Sequence, residues 1–271
     1  MKKIVALVSV ILGISGALRA QENVSATDAA AIWEQAIAAK GGRERLSEVR
    51  NLVITSSGSY KALRFRIRSD QKVESKTLKS SGLYTEQLYV FPNKYWAWED
   101  YRPAVFGLWV RMYDYTRNIK HVITEGEPNH PAEPIEQKEL KKRPLLFVEL
   151  MYLLESNWLT PKPVGLTREG ALDVVRVEVD GQWFDFAIDR KAKLVAKFTS
   201  YSEYKGKTYV DVTKFSNYRA VNGIMMPRVI EMDDGHKEYS DIQINVEYDE
   251  NIFTRSPSID AGSHAWMKKG N

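Results

Sequence analysis

The sequence predicts a mainly β protein built on an antiparallel sheet. Three observations predict it. Apolar and polar residues alternate with a period of two across residues 172–248, Asp-Gly and Lys-Gly pairs interrupt that alternation at strand-length intervals, and segments of helical period are few. Val175, Val177 and Val179 share one parity, with Arg176 and Glu178 on the other. After Asp180-Gly181, Phe184, Phe186 and Ile188 alternate with Asp185 and Asp189. Leu194, Ala196 and Phe198 take the inward parity of the next segment, Lys205-Gly206 ends it, and Val210 and Val212 follow. Met226-Pro227 opens a further strand, Asp233-Asp234-Gly235 closes it, and Ile242, Ile244, Val246 and Tyr248 alternate in the last. Such a pattern is that of a meander of hairpins with one wet face and one dry face.

Residues 1–20 read as an export signal: Lys2 and Lys3, then an apolar run from Ile4 to Leu18, with a cut expected near Ala20. The apolar run is shorter than the ~20 residues of a membrane-spanning helix, so the protein is expected in the periplasm and not across a membrane. Residues 27–40 carry the stripe Ile32, Trp33, Ala36 and Ile37, which predicts a helix ended by Gly41-Gly42, with a short second helical piece over 43–49. Strands follow at 52–55 and 63–67, where Leu63, Phe65 and Ile67 alternate with Arg64, Arg66 and Arg68. Further strands are expected over 87–91, over 94–100 with Trp96 and Trp98 on one face, and over 108–115. In that last strand Trp109, Arg111, Tyr113 and Tyr115 oppose Leu108, Val110 and Met112. Both of its faces are large and partly apolar, which suits a sheet with one packed side and one lined cavity.

Pro128, Pro131 and Pro134 among charges make 125–143 a surface loop. Leu145 to Leu154 is then apolar nearly all round, a helix that has to be buried or has to cover an apolar space. Residues 255–271 lose all periodicity and are expected as a loosely held tail. No linker divides the chain, so residues 21–271 are expected as one domain.

Composition excludes several function classes. The formal net charge is +4, but residues 1–20 hold Lys2, Lys3 and Arg19 and no acid, which leaves 36 basic against 35 acidic residues after processing. A nucleic-acid partner needs a basic excess that this chain lacks. There is no Cys, hence no disulfide and no lipid-acceptor thiol. His121, His130, His236 and His264 form no paired ligand motif. Glu125, Glu127, His130 and Glu133 are the densest ligand-like group, yet they lie in a Pro-rich loop without regular spacing, so no metal and no cofactor is expected. No nucleophile elbow and no Gly-rich phosphate loop is present.

At Phe91-Pro92-Asn93-Lys94-Tyr95-Trp96, and again at Gly107-Leu108-Trp109-Val110-Arg111-Met112-Tyr113-Asp114, the sequence resembles the outer-membrane lipoprotein carrier superfamily, the LolA/LolB-like periplasmic proteins. The segment from Tyr218 to Pro227 and the ending Asn251-Ile252-Phe253 are similar to stretches of its broader exported relatives, so the resemblance spans about residues 28–255. It implies an incomplete, strongly curved antiparallel β-barrel with a helical lid over an apolar cavity that takes a lipid, an acyl chain or another hydrophobic molecule. Phe91 stands where the lipoprotein carrier has an Arg that tunes ligand release, a departure that leaves lipoprotein handling itself open and the binding of a lipid or other apolar molecule as the general expectation. On this reading Trp96, Trp98, Trp109, Tyr113, Phe147, Met151 and Leu154 line the cavity, and the protein is a non-catalytic carrier. Two other readings stay open. One is a cell-envelope module that docks a protein partner through an aromatic sheet face. The other is a hydrolase on the same scaffold, which requires acid–base or metal residues gathered in one pocket and would be favoured by His130 or His121 beside two carboxylates.

Overall fold

The computed structural model describes residues 26–60, 63–67, 73–77, 81–102, 107–136, 140, 161–179, 181–204, 207–233 and 235–268. Helices α1 (Ala26–Lys40) and α2 (Arg43–Ser47) come first, as the Ile32–Ile37 stripe and the Gly41-Gly42 stop predict. Strands β1 (Asn51–Tyr60), β2 (Leu63–Ile67), β3 (Val73–Thr77), β4 (Ser81–Val90), β5 (Lys94–Asp100), β6 (Leu108–Asp114), β7 (Ile119–Thr124) and β8 (Glu133–Pro134) follow. The second half contributes β9 (Lys162–Glu169), β10 (Leu172–Val179), β11 (Gln182–Asp189), β12 (Val195–Tyr204), β13 (Lys207–Ser216), β14 (Arg219–Val221), β15 (Ile224–Met226), β16 (Val229–Met232) and β17 (Gly235–Ile244).

Thirteen of these strands form one antiparallel sheet in the order β8-β7-β6-β5-β4-β1-β17-β16-β13-β12-β11-β10-β9. Its two edge strands do not pair with each other, so it is a curved, incomplete barrel. Hairpins β2–β3 and β14–β15 stand outside it. Each half is a local meander. The seam between them pairs β1 with β17 from Leu52↔Ile244 to Tyr60↔Gly235, with a bulge at Thr55/Ser56. At this seam the backbones come so close that a Cβ on Gly58 would sit 1.9 Å from the His236 carbonyl oxygen. Only glycine fits there.

Turn chemistry closes the hairpins as the sequence predicts. Gly181, at φ 74°, completes the two-residue connection between Val179 and Gln182. The Asp189 carboxylate accepts the Lys191 and Ala192 amides at 2.9 and 2.7 Å and fixes the β11–β12 turn.

We call the face that carries α1 the inner face. Trp33, Ala36 and Ile37 bury themselves there with Val175, Val177, Phe184, Phe186, Ile188 and Phe198, and Trp33 meets Phe186 edge to face at 5.0 Å. The parity expected for β12 is corrected by a bulge. Ile188 pairs with Val195, Ala187 with Lys197, and the buried residues are Val195 and Phe198, while Leu194 and Ala196 are half-buried. The last alternating run is corrected as well. Ile242 and Ile244 belong to the inner core, but Asn245 at φ 56° turns the chain, and Val246 and Tyr248 pack on the outer face.

The outer face is not wet throughout. Val53, Leu88, Trp96, Leu108, Val110 and Met112 form a second core with Ile252, Phe253 and Trp266. Residues 255–268, expected as a loose tail, are packed instead: Trp266 is only 3% exposed, its indole N–H donates to the buried Glu86 carboxylate, and Pro257 is buried. Arg117 ties the segment down by donating to the Phe253 carbonyl and to Asp114.

Candidate functional site

Helix α1 packs against β9, β10 and β15, at one end of the inner face. At the other end, on β4, β5 and β6, the inner-facing positions are of a different kind. The register sets Tyr89 opposite Tyr95, Gln87 opposite Ala97 and Thr85 opposite Glu99. On the next strand Tyr95 faces Tyr113, Ala97 faces Arg111 and Glu99 faces Trp109. Polar and aromatic side chains thus occupy the parity that is aliphatic near α1.

Their geometry is specific. Arg111 lies opposite the small Ala97, so its long side chain is free to run over that residue. Its Nε comes within 2.9 Å of a Glu99 carboxylate oxygen, although the N–H is not aligned on it, and its guanidinium lies 4.6 Å from the Trp109 ring centre. Rings continue on both sides. Tyr101 is 6.1 Å from Trp109 and Tyr60 is 6.1 Å from Tyr101. Tyr95 is 5.1 Å from Tyr89 and 6.1 Å from Tyr113, and Tyr113 stacks on Tyr115 at 6.0 Å. Beneath them Gln87 donates to the Tyr95 hydroxyl at 2.9 Å, and the Ser56 and Thr85 hydroxyls bond at 2.6 Å.

Electrostatics hold this strip in one charge state. Burial, then the Glu99 carboxylate, push the Tyr95 phenol well above its usual range, so it stays a neutral donor. Burial alone would lower the Arg111 guanidinium, but Glu99 and the surrounding tyrosines outweigh it and keep the cation charged. The result is one ion pair set among aromatic faces. It provides polar contacts at fixed points and apolar area between them, which is how small-molecule sites are composed.

The residues expected to line one cavity do not share one surface. Trp109 and Tyr113 lie on the inner face, half-buried, within the aromatic strip. Trp96 and Trp98 are of the opposite parity, facing Met112 and Val110 across the ladder. Trp96 is buried in the outer core with Phe253 and Trp266, and Trp98 packs against that core. Phe147, Met151 and Leu154, and the lid expected over 145–154, lie outside the described residues. Reasoning from sequence passed over Tyr95, Glu99 and Arg111. Parity signals Arg111, which alternates in step with Trp109 and Tyr113 on β6, whereas Tyr95 and Glu99 join them only through the β5–β6 register.

The His121 and His130 rings are 5.4 Å apart, and a Glu133 carboxylate oxygen lies 3.9 Å from His130 Nδ1. Among the described residues no group of three or more His, Asp or Glu side chains is placed to hold a metal ion. None of their helices is long and apolar enough to cross a membrane.

No family model matches the chain, and no curated protein matches it. Solved structures do. A domain from Vibrio parahaemolyticus named for outer membrane lipoprotein sorting is similar at 13% identity and a TM-score of 0.48, over 84% of this chain and 97% of that one. A DUF1329 family protein from Desulfovibrio piger is similar at 12% identity and a TM-score of 0.49, over 83% of this chain and 96% of that one. The MucA/MucB complex of Pseudomonas aeruginosa is similar at 13% identity and a TM-score of 0.19, over 83% of this chain and 60% of that one. The chemistry has to come from this chain's own residues.

Proposed function

We infer that this protein is an exported, non-catalytic carrier of a hydrophobic ligand, held against the aromatic half of the inner face. One observation supports the reading above the others. The sheet fills its inner parity with aliphatic and Phe side chains near α1, and with Tyr95, Tyr101, Trp109, Tyr113 and Tyr115 around a single Arg111–Glu99 pair at the other end. Aromatic rings with polar edges give apolar area together with hydrogen-bonding tips, a lining suited to an amphiphile. Energetics allow such a ligand to be held without a covalent bond. An acyl chain of ~14 methylenes at ~0.8 kcal/mol each supplies about 11 kcal/mol gross, before ordering costs. The charged start and apolar run of residues 1–20 support delivery to the periplasm.

Native mass spectrometry of protein purified without detergent is the direct test, with titration of an environment-sensitive fluorescent fatty acid beside it. A bound lipid mass is expected, or saturable probe binding weakened about tenfold in Trp109→Ala and in Tyr113→Ala, since one buried aromatic is worth about 1–2 kcal/mol here. Protein that carries no lipid and does not bind the probe overturns the reading.

A further inference from the structure

On the opposite surface of the same sheet, far in strand order from the aromatic strip, β10, β11 and β12 carry a second constellation. Arg176, Trp183, Asp185 and Tyr201 all take the outer parity, because Arg176 faces Asp185, Trp183 faces Glu178, and Asp185 faces Thr199. Together with Gly181 and Gln182, three of them (Arg176, Trp183 and Tyr201) line an open hollow of about 430 Å³. The size lies within the range of small-molecule sites, about 300–1,000 Å³.

Three features define what this hollow accepts. First, Trp183 is 58% exposed and Tyr201 39% exposed, two large ring faces left in water on neighbouring strands. Second, the polar groups between them are fixed. Arg176 donates from Nε and Nη2 to the two Asp185 oxygens at 2.8 Å each, and the Tyr201 hydroxyl donates to the same carboxylate at 2.6 Å. The guanidinium lies 5.8 Å from both ring centres, so each ring has one face set against the cation. Third, the neighbouring strand leaves the guanidinium uncovered, because the residue opposite Arg176 on β9 is Gly165.

Charge then selects the ligand class. The Arg176–Asp185 pair is neutral as a unit, so an anion meets the carboxylate and a cation meets the guanidinium. A wholly apolar ligand would strip water from both and return nothing. The Nη1 donors and the carboxylate lone pairs left over stand side by side. Neighbouring hydroxyl groups, which donate and accept at once, match that arrangement, and the C–H face of a pyranose ring matches the exposed indole. We propose that this outer hollow is a binding site for a neutral saccharide, with Trp183 as the stacking platform and Arg176 and Asp185 as the hydroxyl-reading pair.

The test uses the full-length protein and a panel of neutral trisaccharides: maltotriose, cellotriose and triacetylchitotriose. Saturation-transfer NMR reads the sugar C–H protons, and calorimetry reads the affinity. At least one member is expected to bind saturably and to receive saturation on its C–H protons. Trp183→Ala, at an exposed position, should abolish the transfer while leaving the unfolding midpoint and fatty-acid probe binding unchanged. Tyr201→Phe keeps the ring and loses the hydroxyl, and should weaken binding about fivefold. Binding of none of the panel overturns the proposal. So does sugar binding that persists in Trp183→Ala, binding restricted to charged glycans and removed by salt, or a patch that takes up only a protein. Fatty-acid binding is read separately, so either site can fail without the other.

Discussion

Replacing Trp266 by Ala tests whether the C-terminal segment is part of the folded body. The indole is 3% exposed, packs with Trp96, Val110 and Phe253, and donates its N–H to Glu86, itself fully buried on β4. Two costs follow. Truncating a buried Trp to Ala takes away apolar contact and leaves a cavity, about 3–5 kcal/mol together. Trp266→Phe keeps most of the apolar contact but removes the donor to a buried carboxylate, which leaves Glu86 with His264, 2.9 Å away, and costs about 1.5–3 kcal/mol. The assay is urea unfolding at constant pH, followed by far-UV dichroism, with thermal unfolding beside it. The alanine variant should lose roughly 6–20 °C in Tm, at about 2–4 °C per kcal/mol for a domain of this size, and the Phe variant about half of that. Probe binding at the inner face should be retained by the folded fraction of both, because Trp266 sits on the other side of the sheet. A Trp266→Ala protein with an unchanged midpoint would refute the reasoning and return residues 255–268 to the status of a tail.

Three further outcomes are expected. Gly58→Ala places a methyl group against the His236 carbonyl at the β1–β17 seam and should destabilise the fold by about 1–3 kcal/mol or more in urea titration, whereas the same change at the open Gly170 turn should not touch this seam. Arg111→Met leaves the buried Glu99 carboxylate without its cation and should cost about 3–5 kcal/mol, and adding Glu99→Gln should recover part of that loss in a double-mutant cycle; additive losses would show that the two side chains are not coupled. Burial, first among its causes, holds the His121 imidazole below its ordinary value, so on acidification the unfolded chain takes up this proton before the folded one. The contribution is fully present above about pH 6.5, falls as the pH drops from there toward the folded-state value, and is absent below it. Unfolding midpoints measured from pH 8 to pH 5 should show that decline in the wild type and a weaker one in His121→Gln. Equal slopes would exclude His121 as its source.

Much of the fold was legible in the residues because hairpins are local. The alternation of Val175–Val179 and Phe184–Ile188, together with Asp180-Gly181, specifies two strands, their turn and their register without reference to the rest of the chain. The same holds for α1, where Trp33, Ala36 and Ile37 mark one stripe and the glycines end it. Strands β7 and β9 were missed, because Ile119–Thr124 and Lys162–Glu169 alternate weakly and become strands by lying against β6 and β10. Of the candidate site, Trp109 and Tyr113 could be read from their parity on one strand. Glu99 joins them only when β5 is laid against β6, and the same register sets Trp96 and Trp98 on the face opposite Trp109 and Tyr113.

Period-two patterning by itself established that this chain makes antiparallel hairpins and that each strand has two unlike faces, since adjacent side chains in an extended chain point opposite ways. What lies against each face was decided only by tertiary structure. The seam joins Leu52 to Ile244, and the last residues fold back so that Trp266 covers Trp96. These contacts link residues far apart along the chain, where local spacing carries no information. The chain's own end covers the outer face, while the β5–β6 register places Tyr95, Trp109, Arg111 and Tyr113 on the inner one.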